Sequence, residues 1–141
     1  MPRMSLFTRL PAILSMLVLS AGIAAADPLQ LLMFEREGCI YCKQWNEEIA
    51  PIYPKTAQGE AAPLRRLDIT APLPADVTLT GRRPAFTPTF VLTRDGTEVA
   101  RLEGYAGDEF FWVLLDGMLG RAGWSADPAA AETAAPVSAT D

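Results

Sequence analysis

Leu29-Gln30-Leu31-Leu32-Met33-Phe34-Glu35-Arg36-Glu37-Gly38-Cys39-Ile40-Tyr41-Cys42-Lys43-Gln44-Trp45 is the stretch that decides the fold. Its first six residues form an almost continuous apolar run, the length of a buried strand. Glu35 to Gly38 breaks the run as a loop. From Cys39 onward Cys42, Trp45, Ile49 and Ile52 recur at spacings of three and four, with Lys43, Asn46, Glu47 and Glu48 between them. That pattern predicts an amphipathic helix with Cys39 at its entrance and Cys42 in its first turn. Pro51 and Pro54 end or kink it near Tyr53.

Working outward, Leu64 to Ile69 reads as a second strand, and pairing it parallel to the first makes the helix a crossover, a βαβ unit. Thr70 to Pro84 is a proline-rich connection, with a short helix expected over Asp76 to Leu79. Thr89–Leu92 and Val99–Leu102 are strands joined across Arg94-Asp95-Gly96-Thr97, where Asp-Gly is a strong hairpin signal. Asp108 to Leu119 is a final helix, with Asp108 as N-cap and Phe111, Leu114, Leu115 and Met118 as its apolar face. One mixed sheet with a helix on each face accommodates all of these elements. No repeat and no second domain is visible.

The two ends read differently from this body. Arg3 and Arg9 precede an uncharged stretch from Pro11 to Ala26 that closes on Ala24-Ala25-Ala26, the pattern of a cleavable signal peptide over residues 1–26. The uncharged stretch is about 16 residues, short of the roughly 20 that a membrane-spanning helix needs, although an uncleaved anchor is the alternative. Residues 125–141 are rich in Ala, Pro and Thr and offer little to bury, so a flexible tail is expected there. The folded domain is thus expected over residues 27–124. The chain of 141 residues carries a net charge of −5. Without Arg3 and Arg9, ten basic residues face seventeen acidic ones, about −7, which argues against nucleic acid or an anionic membrane surface as partner.

The chain has two cysteines and no histidine. A zinc site would need about four ligands drawn mainly from Cys and His, and a c-type haem motif needs His where Lys43 stands. No metal or other cofactor is expected; the chemistry left is that of the cysteine pair, resting as a disulfide in an oxidising compartment. A thiolate is the attacking species in disulfide exchange. The helix entrance at Cys39 favours one through free backbone N–H groups and the positive dipole end, with Lys43 adding charge. Cys39 is therefore the expected nucleophile and Cys42 the resolving thiol. A purely structural disulfide is the bland alternative, but a link across two residues removes little unfolded-state entropy.

Cys-x-x-Cys after the first strand, then Phe86-Thr87-Pro88-Thr89-Phe90 directly before a hairpin turning on Asp95-Gly96, and Gly104 beyond it, resemble the thioredoxin superfamily over nearly the whole folded body. The resemblance implies a thioredoxin-like α/β fold: a mixed four-stranded central sheet, β-α-β then β-β-α, flanked by helices. It implies that Pro88 is cis and packed against the cysteines. It further implies that Thr87 offers its backbone to an extended substrate segment, with Tyr41 also contacting substrate. The sequence departs from ordinary cytosolic thioredoxins in two ways. Gly38 precedes Cys39 where they have Trp, and Ile40-Tyr41 replaces Gly-Pro. Met33 stands where they carry a buried acid, leaving Glu35 or Glu37 as possible substitutes in accepting the proton of Cys42.

Phe34 to Trp45, followed by Ile49-Ala50-Pro51-Ile52-Tyr53-Pro54, is similar to the periplasmic SoxS-type thioredoxins of bacterial sulfur-oxidation clusters. That similarity implies a monomeric periplasmic reductant, fed by a membrane thiol-electron transporter. Its partner would be a protein substrate with a disulfide or modified cysteine, such as the sulfur-carrier protein of thiosulfate oxidation. The body is too small for the helical insertion of DsbA-type oxidases. An oxidase or isomerase of the same fold, a non-redox binding module and a metallochaperone remain the alternatives. Trp45, Phe111 and Trp112 read as core or partly buried helix residues rather than a cofactor site. Tyr105 either flanks the groove or lies on the surface, and Arg65-Arg66 and Arg82-Arg83 read as solvated pairs.

Overall fold

The computed structural model describes residues 28–127. The expected leader (1–26) and the expected tail from 128 on lie outside the described residues. In chain order the elements are β1 (Leu29–Glu35), α1 (Ile40–Glu48), a single 3₁₀ turn (Tyr53–Lys55), α2 (Ala57–Ala61), β2 (Leu64–Asp68), β3 (Thr89–Arg94), β4 (Thr97–Glu103) and α3 (Asp108–Arg121). The strands form one sheet in the order β2-β1-β3-β4. β1 runs parallel to β2 and antiparallel to β3, and β3 runs antiparallel to β4. This is the mixed sheet of a thioredoxin-like α/β fold.

β1 and β3 are the inner strands, and both of their faces are covered, which is why they read as apolar runs rather than alternating ones. Leu31, Met33, Phe90 and Leu92 point into one cluster, which also holds Trp45, Tyr53, Phe111 and Leu115. Leu32, Phe34 and Val91 point into a second cluster with Val77. Asp95 and Gly96, with φ of 47° and 74°, make the two-residue turn between β3 and β4, the left-handed pair a tight hairpin requires. A side chain at Gly96 would also place its Cβ 2.1 Å from the carbonyl oxygen of Asp76.

Several local expectations are corrected. α1 stops at Glu48, and Ile49 caps it. The chain then turns before Pro51, so Ile52 is 47% exposed and Tyr53 takes the core position instead. The Tyr53 hydroxyl donates to the Ala62 carbonyl at 2.7 Å, and burial raises its pKa. α2 was not expected, since five residues are too few to show a period. In α3 the buried residues are Phe111, Leu115, Met118 and Leu119, while Leu114 is 45% exposed. Its N-cap is Gly107, without a side-chain bond. Asp108 is the first helical residue, its carboxylate accepting from the Glu109 N–H at 2.8 Å.

The largest difference concerns the sheet's second face. α1 and α3 both pack into the first cluster, so the helices do not divide between the two faces. Residues 69–86 cover the other face without any helix, Asp76–Leu79 included. The Thr78 N–H and carbonyl are taken by Gly96 and Glu98 of the hairpin, at 2.9 and 2.8 Å, so neither is free for a helical bond. In place of a helix, Thr78 bridges to Thr97 and runs beside the outer edge of β4, shielding part of that edge from further pairing.

Candidate active site

Cys39 and Cys42 are joined in a disulfide. Gly38, at φ 75°, turns the loop after β1 so that Cys39 becomes the N-cap of α1. The Cys39 Sγ accepts the Cys42 backbone N–H at 3.1 Å, and no acidic residue lies in the first helical turn. The sulfur thus sits at the positive end of the helix with one of the unpaired N–H groups aimed at it. The two sulfurs are inequivalent: Cys39 is half-buried, whereas Cys42 is 3% exposed and part of the core. An incoming thiolate or disulfide therefore reaches the Cys39 sulfur first.

An open cleft of about 560 Å³ lies beside the pair, lined among others by Glu35, Arg36, Lys43 and Asn46. Lys43 pairs with Glu47 at 3.8 Å, both exposed, a contact of little strength. Glu35 is bound to Arg66 at 3.0 Å through both carboxylate oxygens. The Arg66 guanidinium also lies 5.6 Å from the centre of the Trp45 ring and within 3.6 Å of the Met33 sulfur. The Arg65-Arg66 pair is not simply solvated, since Arg65 binds Asp76 at 2.6 Å. Nor is Arg83, which donates to the carbonyls of Ile69 and Ala71.

The Thr87–Pro88 peptide is cis. Phe34 pairs with Thr89, so Pro88 lies one step further on, level with Glu35 at the end of β1 that leads to Cys39. The Pro88 carbonyl accepts the Gly104 N–H at 2.7 Å, which fixes the start of the hairpin. The Thr87 backbone makes no hydrogen bond among the described residues. Ile40, Tyr41 and Phe86 are 72%, 55% and 68% exposed, leaving apolar surface in the first turn of α1 and in the loop before β3.

A family model described as a thioredoxin-like domain matches residues 21–118. The chain belongs to the thioredoxin-like family. Among solved structures it is similar to the periplasmic thioredoxin SoxS from Paracoccus pantotrophus in its reduced form. The two are 52% identical with a TM-score of 0.65, over 67% of this chain and 98% of that one. A thioredoxin from Malassezia sympodialis (Mala s 13) is 17% identical with a TM-score of 0.45, over 66% of this chain and 79% of that one. No curated protein matches the sequence. With its disulfide at the entrance of α1, this thioredoxin-like chain is a thiol–disulfide oxidoreductase whose redox group is the Cys39–Cys42 pair itself. Among the described residues no cluster of three or more His, Cys, Asp or Glu side chains is placed to hold a metal ion.

Around this thioredoxin-like site Tyr105 takes a definite place, and Arg66 and Asn46 are residues the sequence reading missed. Tyr105 is buried, and its hydroxyl donates to Glu48 at 2.5 Å, so it is not a surface aromatic but a tie between the loop after β4 and the end of α1. Burial, followed by the Glu48 contact, pushes its pKa up. Arg66 could have been found from register, because a parallel pairing sets it beside Met33. Asn46, one turn after Cys42, shares the helix face of that cysteine, but its polarity read only as solvent-facing.

Proposed function

We propose that this chain is a periplasmic reductant that passes electrons from its Cys39–Cys42 dithiol to a cysteine of a partner protein. The observation that carries the reading is the 52% identity, across 98% of its length, to a protein described as a periplasmic thioredoxin. Cys39 is the nucleophile. Its thiolate attacks the partner's disulfide or modified cysteine, forming a mixed disulfide and releasing one partner sulfur as thiolate. Cys42 then attacks the Cys39 sulfur, frees the second partner sulfur and closes the Cys39–Cys42 bond. Two electrons leave the pair in each cycle.

The half-buried, helix-capping position of Cys39 and the buried position of Cys42 support this division of roles. The unbonded Thr87 backbone beside Pro88 supports a substrate segment docking there as an added strand, with Tyr41 giving apolar contact. The proposed physiological partner is the sulfur-carrier protein of thiosulfate oxidation, and a membrane thiol-electron transporter is the proposed donor. Residues 1–26 would direct a monomeric domain of residues 27–124, followed by a tail of residues 125–141, to the periplasm.

Equilibration with glutathione buffers tests the direction of transfer. A reductant should show a potential near the ~ −270 mV of thioredoxin, whereas a value near the ~ −120 mV of a strong oxidant would assign it to disulfide formation or isomerisation. Cys39→Ser should abolish reduction of a partner disulfide; full retention of partner function in that variant would identify a binding module instead.

A further inference from the structure

Two buried side-chain polar atoms have no hydrogen-bond partner among the described residues: Nε1 of Trp45 and Oδ1 of Asn46. The Trp45 indole is enclosed by Tyr53, Phe90 and Phe111. Asn46 stands elsewhere, on the cleft that Cys39 and Cys42 also line. It follows Cys42 by four residues in α1, the spacing that stacks two side chains on one helix face with Cβ atoms about 5–6 Å apart. A buried acceptor without a donor costs free energy, and buried polar atoms in native proteins nearly always have a partner.

With Cys42 bonded to Cys39, its sulfur has no hydrogen to give. Reduction by a donor dithiol breaks that bond, forms a disulfide in the donor and passes two electrons and two protons to the pair. One proton then rests on Cys42 Sγ, making it an S–H donor in a site 3% exposed to water. Met33 stands under this site without a polar oxygen, and Glu35 is already held by Arg66.

We propose that Asn46 Oδ1 accepts the Cys42 S–H in the reduced protein, a bond that exists only after reduction and so favours the dithiol. The inference rests on Cys39–Cys42 cycling between disulfide and dithiol. Asn46 thereby sets the balance between the two redox states without itself exchanging electrons or protons.

The test compares wild type with Asn46→Leu and Asn46→Ala in equilibrium with dithiothreitol. Both variants remove the acceptor, one keeping volume and one not. Each should lower the equilibrium constant for reduction about fivefold, a potential more negative by about 20 mV. No shift, a shift to less negative values, or a shift in only one of the two variants would overturn the proposal, the last pointing to packing. Raman spectra of Cys39→Ala, which leaves Cys42 as the single thiol and puts no new acceptor beside it, give a readout free of any Asn46 variant. Its S–H stretch should lie at the lower frequency of a hydrogen-bonded thiol, and a free-thiol frequency would refute the contact. A wild-type pair that does not exchange with dithiothreitol at all removes the oxidoreductase reading too; exchange that is indifferent to Asn46 removes only this inference.

Discussion

The two faces of the sheet are closed by opposite means. On the first, α1 and α3 satisfy most of their backbone within the helix, and their buried side chains pack: Trp45 lies 5.3 Å from Phe90 and 5.6 Å from Phe111, centre to centre. On the second, residues 69–86 have no helical bonds to meet their backbone groups, and side chains supply the missing partners. Arg83 donates to two carbonyls of the segment, and Arg101 to that of Arg82 at 2.8 Å. Glu98 accepts the Thr80 N–H at 2.9 Å, and Asp68 accepts that of Thr70 at 2.7 Å. Beneath them the buried apolar side chains are Leu32, Phe34, Val77 and Val91. A helical cover draws its stability from apolar burial; an irregular cover spends charged side chains on its backbone.

If that contrast is right, substitutions on the two faces should differ in size and in their response to pH. The largest effect belongs to the helical face. Trp45→Ala removes a side chain with no exposure and should cost about 3–5 kcal/mol in urea unfolding; a loss below about 1 kcal/mol would mean the aromatic cluster is not what closes this face. Next is Glu98→Gln. Glu98 is 7% exposed and binds Arg101 at 2.8 Å, so losing the charge should cost about 1.5–3 kcal/mol at neutral pH. Burial pulls the Glu98 pKa up, but the bonds from Arg101, Thr80 and Gly81 outweigh it, and the net shift is downward. A carboxylate with a depressed folded pKa contributes fully above its unfolded pKa, and the contribution fades as pH falls through the folded value. The gap between wild type and Glu98→Gln should therefore shrink below the ordinary carboxylate range, while the Trp45→Ala cost should not.

The same contrast explains what could be read from the sequence. The helical face obeys periodicity: Cys42, Trp45 and Ile49 announced α1, and the apolar runs announced β1 and β3. The Asp95-Gly96 turn announced the hairpin through backbone geometry alone. The reading failed where tertiary contacts decide. Ile52 is the more apolar of two neighbours, yet the stop of α1 at Glu48, not composition, put Tyr53 in the core. The segment over residues 69–86 has no period, so nothing local signalled that Arg83 and Arg101 bind its carbonyls. At the site, the cysteines were visible from spacing, but the Glu35–Arg66 pair joins residues 31 apart in sequence, and only strand register brings them together.

The smallest predicted effect tests the irregular face most directly. Arg83 is exposed on the surface, so ordinary reasoning about exposed charges would make Arg83→Ala almost silent, and its effect on global unfolding should indeed stay below about 1 kcal/mol. Its two acceptors, however, are the carbonyls of Ile69 and Ala71, at the point where the chain leaves β2 for the proline-rich cover. Without the guanidinium those carbonyls turn to water, and the segment should open more often without the sheet opening with it. Hydrogen exchange can separate the two events. The Val77 and Thr78 amides, bonded to Pro74 and Gly96, should exchange several-fold faster in Arg83→Ala, while the β1 and β3 amides keep their wild-type rates. Equal acceleration of all four groups would place the second face within the same cooperative unit as the first. Unchanged rates would show that the remaining clamps, Arg101 and Glu98, hold the cover by themselves.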